Sequence, residues 1–287
     1  METKVVIVGA DGSRFTIAGE KAGDKGVYLL PDLGGFLDPA VKVVSQSPAN
    51  FPGGRYVSHR TEIRRVTFAV DIFNDGEVGS QSWAYRDSQW RKAWGYDKPT
   101  RIEVTTRGSG TRTLTAYLEE IEVDNEIDPH IQPLNRVVMT VVAYDPFWWG
   151  EEEVFNIEAA PGVSTEFGVE VGNPTDQDIW PIYALEGGVM WHVPDFSFKN
   201  DEFANRTVTI PDLADDEHIV INTHPMARQI VAANGAPTWQ RMNGVRFRHP
   251  IPPYTEEAPL FVHNNGVTPK SAQLRLRRPY SRPWGLE

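Results

Sequence analysis

The sequence predicts a mainly β protein with two domains, and three observations support that fold class. Apolar side chains alternate with polar ones at a period of two in several stretches, as at Val66, Phe68, Val70 and Ile72, which is the pattern of strands with one buried face. Only one stretch has convincing helical spacing. The 287 residues exceed the ~150 of an average domain, so two β domains are favoured, although one oversized β domain would also fit.

The first block, residues 1–150, contains the long strands. Segments bounded by Gly, Pro or Asp predict strands at residues 4–8, 14–18, 27–30, 60–73, 101–106, 111–124 and 137–144. Within residues 111–124 the apolar parity switches between Leu118 and Ile121, so we expect a β-bulge near Glu119 and Glu120. Residues 137–144 are apolar on both parities, which is typical of a strand covered on both faces.

The one predicted helix lies between Ser80 and Gly95, with Ser80 as the N-cap and Gly95 as the residue after the last turn. Trp83, Trp90 and Trp94 fall at helical spacing and predict an apolar face that packs on a sheet. Each aromatic ring can bury ~150 to 250 Å². The alternative interpretation of the three rings is an exposed platform for a ligand.

The stretch from Pro31 to His59 has weak periodicity and repeated Pro and Gly-Gly interruptions. Long connections without regular structure are uncommon in compact domains and are usually functional or flexible. We interpret this stretch as an arm or extended loop that reaches a neighbouring copy of the chain. A loop that simply lies on the surface is the alternative.

The second block, residues 151–287, is acidic and predicts shorter strands. It contains 11 basic and 19 acidic residues, a net charge of -8 out of -11 for the chain. The predicted strands are at residues 179–185, 206–210, 219–223, 259–263 and 273–276. Many short strands separated by turns, without a helical pattern, favour a sandwich or jelly roll.

Composition excludes several classes of function. The chain has no cysteine, so disulfides, thiol nucleophiles and thiolate metal sites are excluded. A net charge of -11 opposes broad contact with nucleic acid or an anionic membrane. No stretch approaches the ~20 apolar residues of a membrane span, and the first residues lack the apolar core of a secretory signal.

The sequence contains no catalytic signature: no phosphate-binding loop, dinucleotide fingerprint, HExxH or GxSxG motif. The closest grouping of metal-ligand residue types is Asp215, Asp216, Glu217, His218 and His224. We interpret it as a solvated turn, because a useful metal site needs three or more converging ligands. Paired carboxylates for glycoside hydrolysis are conceivable in an acidic block, but they need a fixed separation across a cleft.

A further group of aromatic residues lies in the second block, where core packing is favoured over stacking on sugar rings. These residues are Trp180, Tyr183, Trp191, Phe196 and Phe198.

Three sequence patterns mark the ends of the two blocks. The first block ends in YDPFWWG at residues 144–150, the second opens with VGNPT at 171–175 followed by WPIYALEG at 180–187, and residues 278–285 read RPYSRPWG. Together these patterns resemble the siphophage distal tail proteins, and the last is similar to the ends of minor tail proteins of actinobacteriophages. The patterns occur in the right order over nearly the whole chain. The Pro-rich arm and the order Asn-Pro-Thr, where Asn-Gly-Thr is commoner, depart from the family.

The resemblance implies a structural component of the phage tail tip, with no enzymatic activity and no cofactor. Distal tail proteins form a hexameric ring that joins the tail tube to the host-recognition tip complex. The resemblance implies a ring-forming (belt) domain at residues 1–150, a β-barrel or sandwich with one helix, and a galectin-like β-sandwich at residues 151–287. It also implies that the chain is made in the host cytoplasm and resides in the virion.

The partners implied are other copies of the chain in a homo-hexamer, the tail tube protein, the tape measure protein and the tail-tip proteins, without nucleic-acid binding or membrane insertion. We single out two sets of architectural residues. The anchor between helix and sheet is formed by Trp83, Trp90 and Trp94, and the junction between domains is formed by Phe147, Trp148 and Trp149. The alternative function is a carbohydrate-binding module whose exposed Trp or Tyr residues contact the host cell-wall glycan. A glycan-cleaving enzyme is the least favoured interpretation.

Overall fold

The computed structural model describes residues 3–50, 52–73, 83–123, 134–159 and 168–287. The chain divides into two compact units. The first unit is Met1–Gly150 with Tyr280–Gly285, and the second is Glu151–Pro279 with Leu286–Glu287. Both units are built mainly of strands. Among the described residues, no helix has the length and apolar character needed to cross a bilayer.

The first unit contains ten strands and one helix in the part of the chain that the structure describes. They are β1 (Lys4–Val8), β2 (Arg14–Ala18), β3 (Val27–Gly34), β4 (Val41–Gln46), β5 (Arg55–Thr61), β6 (Arg64–Phe73), α1 (Trp83–Lys92), β7 (Thr100–Thr106), β8 (Gly110–Val123), β9 (Leu134–Ala143) and β10 (Trp148–Trp149).

The remaining elements follow in chain order. They are β11 (Glu153–Ala159), β12 (Gly168–Asn173), β13 (Ile182–Leu185), β14 (Trp191–Pro194), β15 (Thr207–Ile210), β16 (Ile219–Asn222), β17 (Ile230–Ala232), α2 (Thr238–Arg241), β18 (Thr255–Phe261), β19 (His263–Asn264), β20 (Lys270–Leu276) and β21 (Pro279–Tyr280).

One large sheet forms the body of the first unit, with the strand order β2-β1-β7-β8-β9-β6-β3. The short strand β10 pairs with β8, and β21, which brings in Tyr280, pairs with β10. The sheet curls into a nearly closed barrel. Its inward residues come from every second position of β6, β8 and β9, as the period of two in the sequence predicts.

Strand β8 changes partner at a bulge. Its first half pairs with β7 and its second half, from Tyr117 onward, pairs with β9. The register shifts between Leu118 and Glu120, which confirms the bulge predicted near Glu119 and Glu120. An inserted residue bends a strand and reverses which side chains face inward. One 14-residue strand therefore pairs with two long strands in succession, in addition to the short β10.

Helix α1 begins at Trp83 in the described structure and contacts β6 and β9. Trp90 is fully buried and its ring lies edge-on to Phe15, with 5.2 Å between ring centroids. Trp94 is also buried, 5.4 Å from the Trp90 ring, whereas Trp83 is partly exposed. The proposed N-cap Ser80 lies outside the described residues. The anchoring role of the three rings stays a prediction, although Trp90 and Trp94 offer no exposed face to a ligand.

Two sequence expectations for the first unit were wrong in detail. The stretch from Pro31 to His59 is not an irregular loop, because residues 31–34 extend β3 and β4 pairs with β5 as an antiparallel hairpin. The single strand predicted at residues 60–73 is broken, since β5 ends at Thr61 and β6 begins at Arg64. The break occurs because β5 pairs with β4, whereas β6 pairs with β3 and β9 in another sheet.

The second unit contains a five-stranded sheet in the order β11-β20-β13-β16-β17, a three-stranded sheet β15-β14-β19 and the pair β12-β18. One inward row crosses the five-stranded sheet, and its members pair in register: Ile157, Ala272, Leu185, Ile219 and Ala232. All five are buried. They join side chains of β14, β15 and β18 in one hydrophobic cluster.

The second unit also required corrections to the predicted strands. The strand predicted at residues 179–185 is shorter, because Ile179 forms only an isolated bridge with Ile251 before β13 starts. The strand predicted at 259–263 is divided between β18 and β19, which pair with different strands. The sequence analysis did not identify β11, β12, β14, β17 or helix α2. These elements are short or begin outside the clearest alternation.

The motif Asn173-Pro174-Thr175 forms a turn that the Asn173 side chain holds by hydrogen bonds. The Asn173 side chain is fully buried and donates to the carbonyls of Gln177 (2.8 Å) and Ile251 (2.9 Å). Its oxygen accepts from the backbone N–H and the hydroxyl of Thr175, both at 2.8 Å. A buried amide must be satisfied, so this residue type fixes the turn that leads into β13.

Candidate assembly site

The hairpin of β4 and β5, residues 41–61, overlaps the stretch from Pro31 to His59 that we interpret from the sequence as an arm. From here on, the name arm refers to this hairpin. Every residue of β4 and six of the seven residues of β5 are exposed. Within the described residues, these two strands pair only with each other. A two-stranded hairpin is marginally stable in water by itself, so the arm requires support from its root or from another chain.

The exposed side chains of the arm are unusually apolar. Val43, Tyr56 and Val57 are exposed by 59%, 58% and 56%, and Val41 and Val44 are exposed as well. Several large apolar side chains exposed on one water-exposed element are typical of an interaction surface. Val43 lies directly opposite His59, and Val41 lies opposite Thr61.

The arm also differs in charge from the rest of the chain. Residues 41–61 contain the basic residues Lys42, Arg55 and Arg60 and no acidic residue, whereas the whole chain has a net charge of -11. The arm is therefore a cationic and apolar element on an acidic protein. Unlike charges attract on approach, so the chemistry of the arm suits the surface of another copy.

The root of the arm is held by a buried arginine at the start of β6. Arg64 is 1% exposed. Its Nη1 donates to the carbonyls of Gly35, Phe36 and Leu37 at 3.2, 3.2 and 3.1 Å, and its Nε donates to the carbonyl of Pro146 at 2.7 Å. These carbonyls satisfy the guanidinium as a buried cation requires. The chain segment that precedes β4 is thereby fixed to the barrel.

Burial lowers the pKa of Arg64 to about 10, and the nearby Asp38 carboxylate opposes that shift. Arg64 therefore stays charged at neutral pH. The sequence analysis missed this residue, but a signal existed: Arg64 shares the inward parity of Val66, Phe68 and Val70. A basic residue on the buried parity of a strand indicates an internal hydrogen-bonding role.

The predicted junction residues take three different environments. Trp148 is fully buried in the core of the first unit, with its ring 5.2 Å from that of Phe36. Trp149 is partly exposed and donates from Nε1 to Asp145 at 2.8 Å. Phe147 is also partly exposed. Their role as a junction between domains stays a prediction.

The acidic and histidine cluster of the second unit is engaged in internal contacts. Glu217 is 3% exposed, accepts from Thr238 and pairs with Arg241. His218 accepts at Nδ1 from the Gly187 N–H at 3.1 Å, and the His224 ring lies 5.4 Å from Trp180. Glu217 is thus buried, which differs from the solvated turn we expected. Among the described residues, no group of three or more metal-ligand types converges.

Burial raises the pKa of Glu217, but the hydrogen bonds from Thr238 and Arg241, with one from the Ala214 N–H, outweigh it. The pKa therefore lies below its ordinary value, and the carboxylate is ionised at neutral pH. A carboxylate held in this way links α2 to the turn before β16. Its role is structural.

The outer face of the five-stranded sheet carries a groove of about 710 Å³. The polar residues that line it are Asn156, Glu158, Glu186, His218, Ser271 and Gln273. No Trp, Tyr or Phe lines the groove among the described residues.

The aromatic residues singled out in the second block do not form a stacking surface there. Tyr183 and Trp191 are buried in the core, whereas Trp180, Phe196 and Phe198 are partly exposed. Trp239 and Tyr254 of the same unit are exposed by 51% and 58%, and the carbohydrate-binding alternative stays a prediction.

Comparison with solved structures defines the class of fold. The chain is similar to the crystal structure of the Dit protein (gp 19.1) of phage SPP1, described as a paradigm of the hub adsorption apparatus in phages that infect Gram-positive bacteria. The TM-score is 0.65 at 12% identity, covering 96% of this chain and 98% of that one. A chain of the activated phage P2 baseplate with Ca gives a TM-score of 0.54 at 11% identity, covering 97% and 98%. The fold is that of siphophage Dit and baseplate proteins.

Sequence comparison gives the family. The chain is 40% identical to the minor tail protein Gp27 of Mycobacterium phage L5, over 100% of this chain and 99% of that protein. It is 38% identical to Gp27 of Mycobacterium phage D29, with the same coverage. No protein-family model matches the chain. The chain belongs to the family of mycobacteriophage minor tail proteins that includes these two, which agrees with the resemblance identified from its motifs.

Proposed function

We propose that this protein is a structural subunit of the phage tail tip, which closes into a hexameric ring that joins the tail tube to the host-recognition complex. The observation that carries the proposal is the arm, a hairpin that exposes valine and tyrosine side chains and carries only positive charge. Such an element gains stability when a second copy covers it. The family relationship to minor tail proteins supports a role in the tail.

A ring requires one surface of each subunit to contact a different surface of the next subunit, with a rotation that closes. A projecting hairpin on one side of a barrel provides such a head-to-tail contact. Residues 1–150 are the ring-forming part in this proposal, and residues 151–287 form a galectin-like sandwich. The tail tube, tape measure and tail-tip proteins are the proposed neighbours, and the role requires no enzymatic activity and no cofactor.

The proposal is tested by measuring the mass of the purified chain by mass photometry over a range of concentrations. We expect a six-copy species for the wild type and sixfold rings by negative-stain electron microscopy. The arm variant Val43→Ser/Tyr56→Ser/Val57→Ser should raise the dissociation constant at least about tenfold, which corresponds to ~1.4 kcal/mol.

A matched control uses residues of the second unit with similar exposure. Val220→Ser/Val231→Ser/Tyr254→Ser changes two valines and one tyrosine that are 49%, 44% and 58% exposed. This control should assemble like the wild type. A wild-type chain that stays monomeric at all concentrations contradicts the ring. An arm variant that assembles as well as the control contradicts the role of the arm.

A further inference from the structure

We propose that residues 280–285, which we name the return segment, act as a clamp on the root of the arm, so that the arm is held for assembly only while the return segment is bound to the first unit. This inference rests on the proposed function of the arm. In this inference the return segment affects assembly by holding the arm in position. The segment itself does not need to contact a neighbouring copy.

The first contact between the return segment and the arm root is shared through Arg64. Its Nη2 donates to the carbonyl of Ser281 at 2.6 Å. The same guanidinium donates through Nη1 to Gly35, Phe36 and Leu37, just before β4. One buried cation thus holds both segments. If the return segment leaves, a buried donor loses its acceptor, which costs free energy.

Two side-chain contacts join the same segments directly. The Trp284 ring lies 6.5 Å from the ring of Phe36, which is 3% exposed. Arg282 pairs with Asp38, with 2.9 Å between Nε and Oδ1. Phe36 and Asp38 lie between β3 and β4. The return segment therefore covers the residues from which the arm extends.

A second buried arginine holds the return segment in place. Arg112, which is 1% exposed, donates from Nη1 to the carbonyls of Arg282 (2.9 Å) and Gly285 (2.8 Å). Its guanidinium carbon lies 3.4 Å from the centre of the Tyr280 ring, which is a cation–π geometry. The Gly285 N–H also donates to Ser109 at 2.8 Å. The segment is therefore bound at Tyr280, Arg282 and Gly285.

The arm depends on this clamp more than the barrel does. Strands β3 and β6 to β9 pair within the large sheet, whereas the arm pairs only with itself in the described structure and is joined to the barrel through its root. Tyr280 belongs to the barrel core and Trp284 packs against that core. Loosening Arg282 and Trp284 while Tyr280 stays in place should therefore free the arm and leave the barrel folded. The predicted effect is a broader range of arm positions, followed by weaker assembly.

The experiment removes the two side-chain contacts in the double variant Arg282→Ala/Trp284→Ala. The control Arg107→Ala/Trp239→Ala removes the same two residue types from more exposed positions elsewhere. Because the chain has no cysteine, Gln46→Cys in the arm and Arg101→Cys in β7 allow specific spin labelling. Arm position is measured by pulsed electron paramagnetic resonance below the assembly concentration, and assembly is measured by mass photometry.

We expect a narrow distance distribution for the wild type and the control, and a broad one for the clamp variant. The dissociation constant of the clamp variant should rise at least about tenfold, with unchanged circular dichroism. A clamp variant with an unchanged distribution overturns the inference, whether or not rings form. The distance distribution can broaden in the clamp variant even if the wild-type chain stays monomeric. That result supports the clamp and contradicts the ring, so the two proposals can fail independently.

If the double variant does not fold, charge reversal replaces it. Arg282→Glu places two negative groups together at a partly exposed pair and should broaden the distribution. Adding Asp38→Arg restores an opposite pair and should narrow the distribution again. Equal distributions for these two variants overturn the inference.

Discussion

Among single residues, two buried arginines cross-link segments that are far apart in the chain. Arg64 and Arg112 are each 1% exposed and bind backbone carbonyls of distant segments. Both occur on the inward parity of long strands, Arg64 before Val66 and Arg112 before Leu114. In both strands the arginine occupies the inward position before the first buried apolar residue, and its guanidinium binds the carbonyls of neighbouring loops.

Glu217 permits a prediction with a defined pH dependence. Its pKa lies below the ordinary value in the folded state, so its contribution to stability is fully present above the unfolded pKa and is lost as the pH falls through the folded one. Glu217→Gln should lower the free energy of unfolding by about 2 to 3 kcal/mol at pH 7, because charged hydrogen bonds to Thr238 and Arg241 are lost.

Urea unfolding measured between pH 7 and pH 3 checks this prediction. The difference between Glu217→Gln and the wild type should shrink as the pH falls below about 4.5, the ordinary pKa of the group. Glu256→Gln, at an exposed position of the same unit, should have little effect at any pH. A constant difference across the whole range would show that the charge of Glu217 is not what stabilises the fold.

Among the secondary-structure elements, the root of the arm marks the point where the chain leaves the large sheet and enters the hairpin. Strand β3 ends at Gly34, the next residue Gly35 has a φ of +65°, and β4 starts at Val41. A left-handed φ at this point redirects the chain away from the large sheet. The bulge in β8 has the corresponding role within the sheet, where it transfers pairing from β7 to β9.

Gly35 and Gly110 provide a matched pair of substitutions. Both have a left-handed φ, +65° and +66°. A Cβ at Gly35 would lie 1.9 Å from the carbonyl oxygen of Arg65, whereas at Gly110 nothing lies within 4 Å. Gly110→Ala should cost about 1 to 2 kcal/mol from the backbone conformation alone. Gly35→Ala should cost about 2 kcal/mol more, because the backbone of β6 must move.

Chemical denaturation of the two glycine variants checks the difference between them. Gly35→Ala should also weaken assembly if the arm root is displaced. Equal destabilisation by both substitutions would mean that the root tolerates the shift, and that its position is not set by the contact with β6.

At the scale of the whole molecule, two separate hydrophobic cores divide the chain. The first contains the barrel residues with Trp90, Trp94 and Trp148, and the second contains Trp191, Tyr183 and Leu274 among others. Each unit has its own sheets and its own buried rows. Separate cores make separate cooperative unfolding steps the expected behaviour.

Calorimetry tests this division with one substitution in each core. Trp90→Ala should lower the stability of one transition by ~3 to 5 kcal/mol, and Leu274→Ala should lower that of the other by ~2 to 5 kcal/mol. Trp239→Ala, at a site that is 51% exposed, should change the free energy of unfolding in either transition by about 0.5 kcal/mol or less. A single transition shifted equally by Trp90→Ala and Leu274→Ala would show that the two units unfold together.

The amino-acid sequence alone was sufficient to predict the mainly β class, most of the long strands of the first unit, the bulge in β8, a helix that carries the buried Trp90, and the family. These features depend on local periodicity or on short motifs such as YDPFWWG, which are visible without knowledge of distant contacts. Knowledge of the folded chain was needed to show that residues 41–61 form a paired hairpin, that Glu217 is buried and that residues 280–285 return to the first unit. The burial of Glu217 depends on Arg241, and the position of residues 280–285 depends on Arg64 and Arg112. These arginines bind groups far away in the chain, and such pairing has no local sequence pattern.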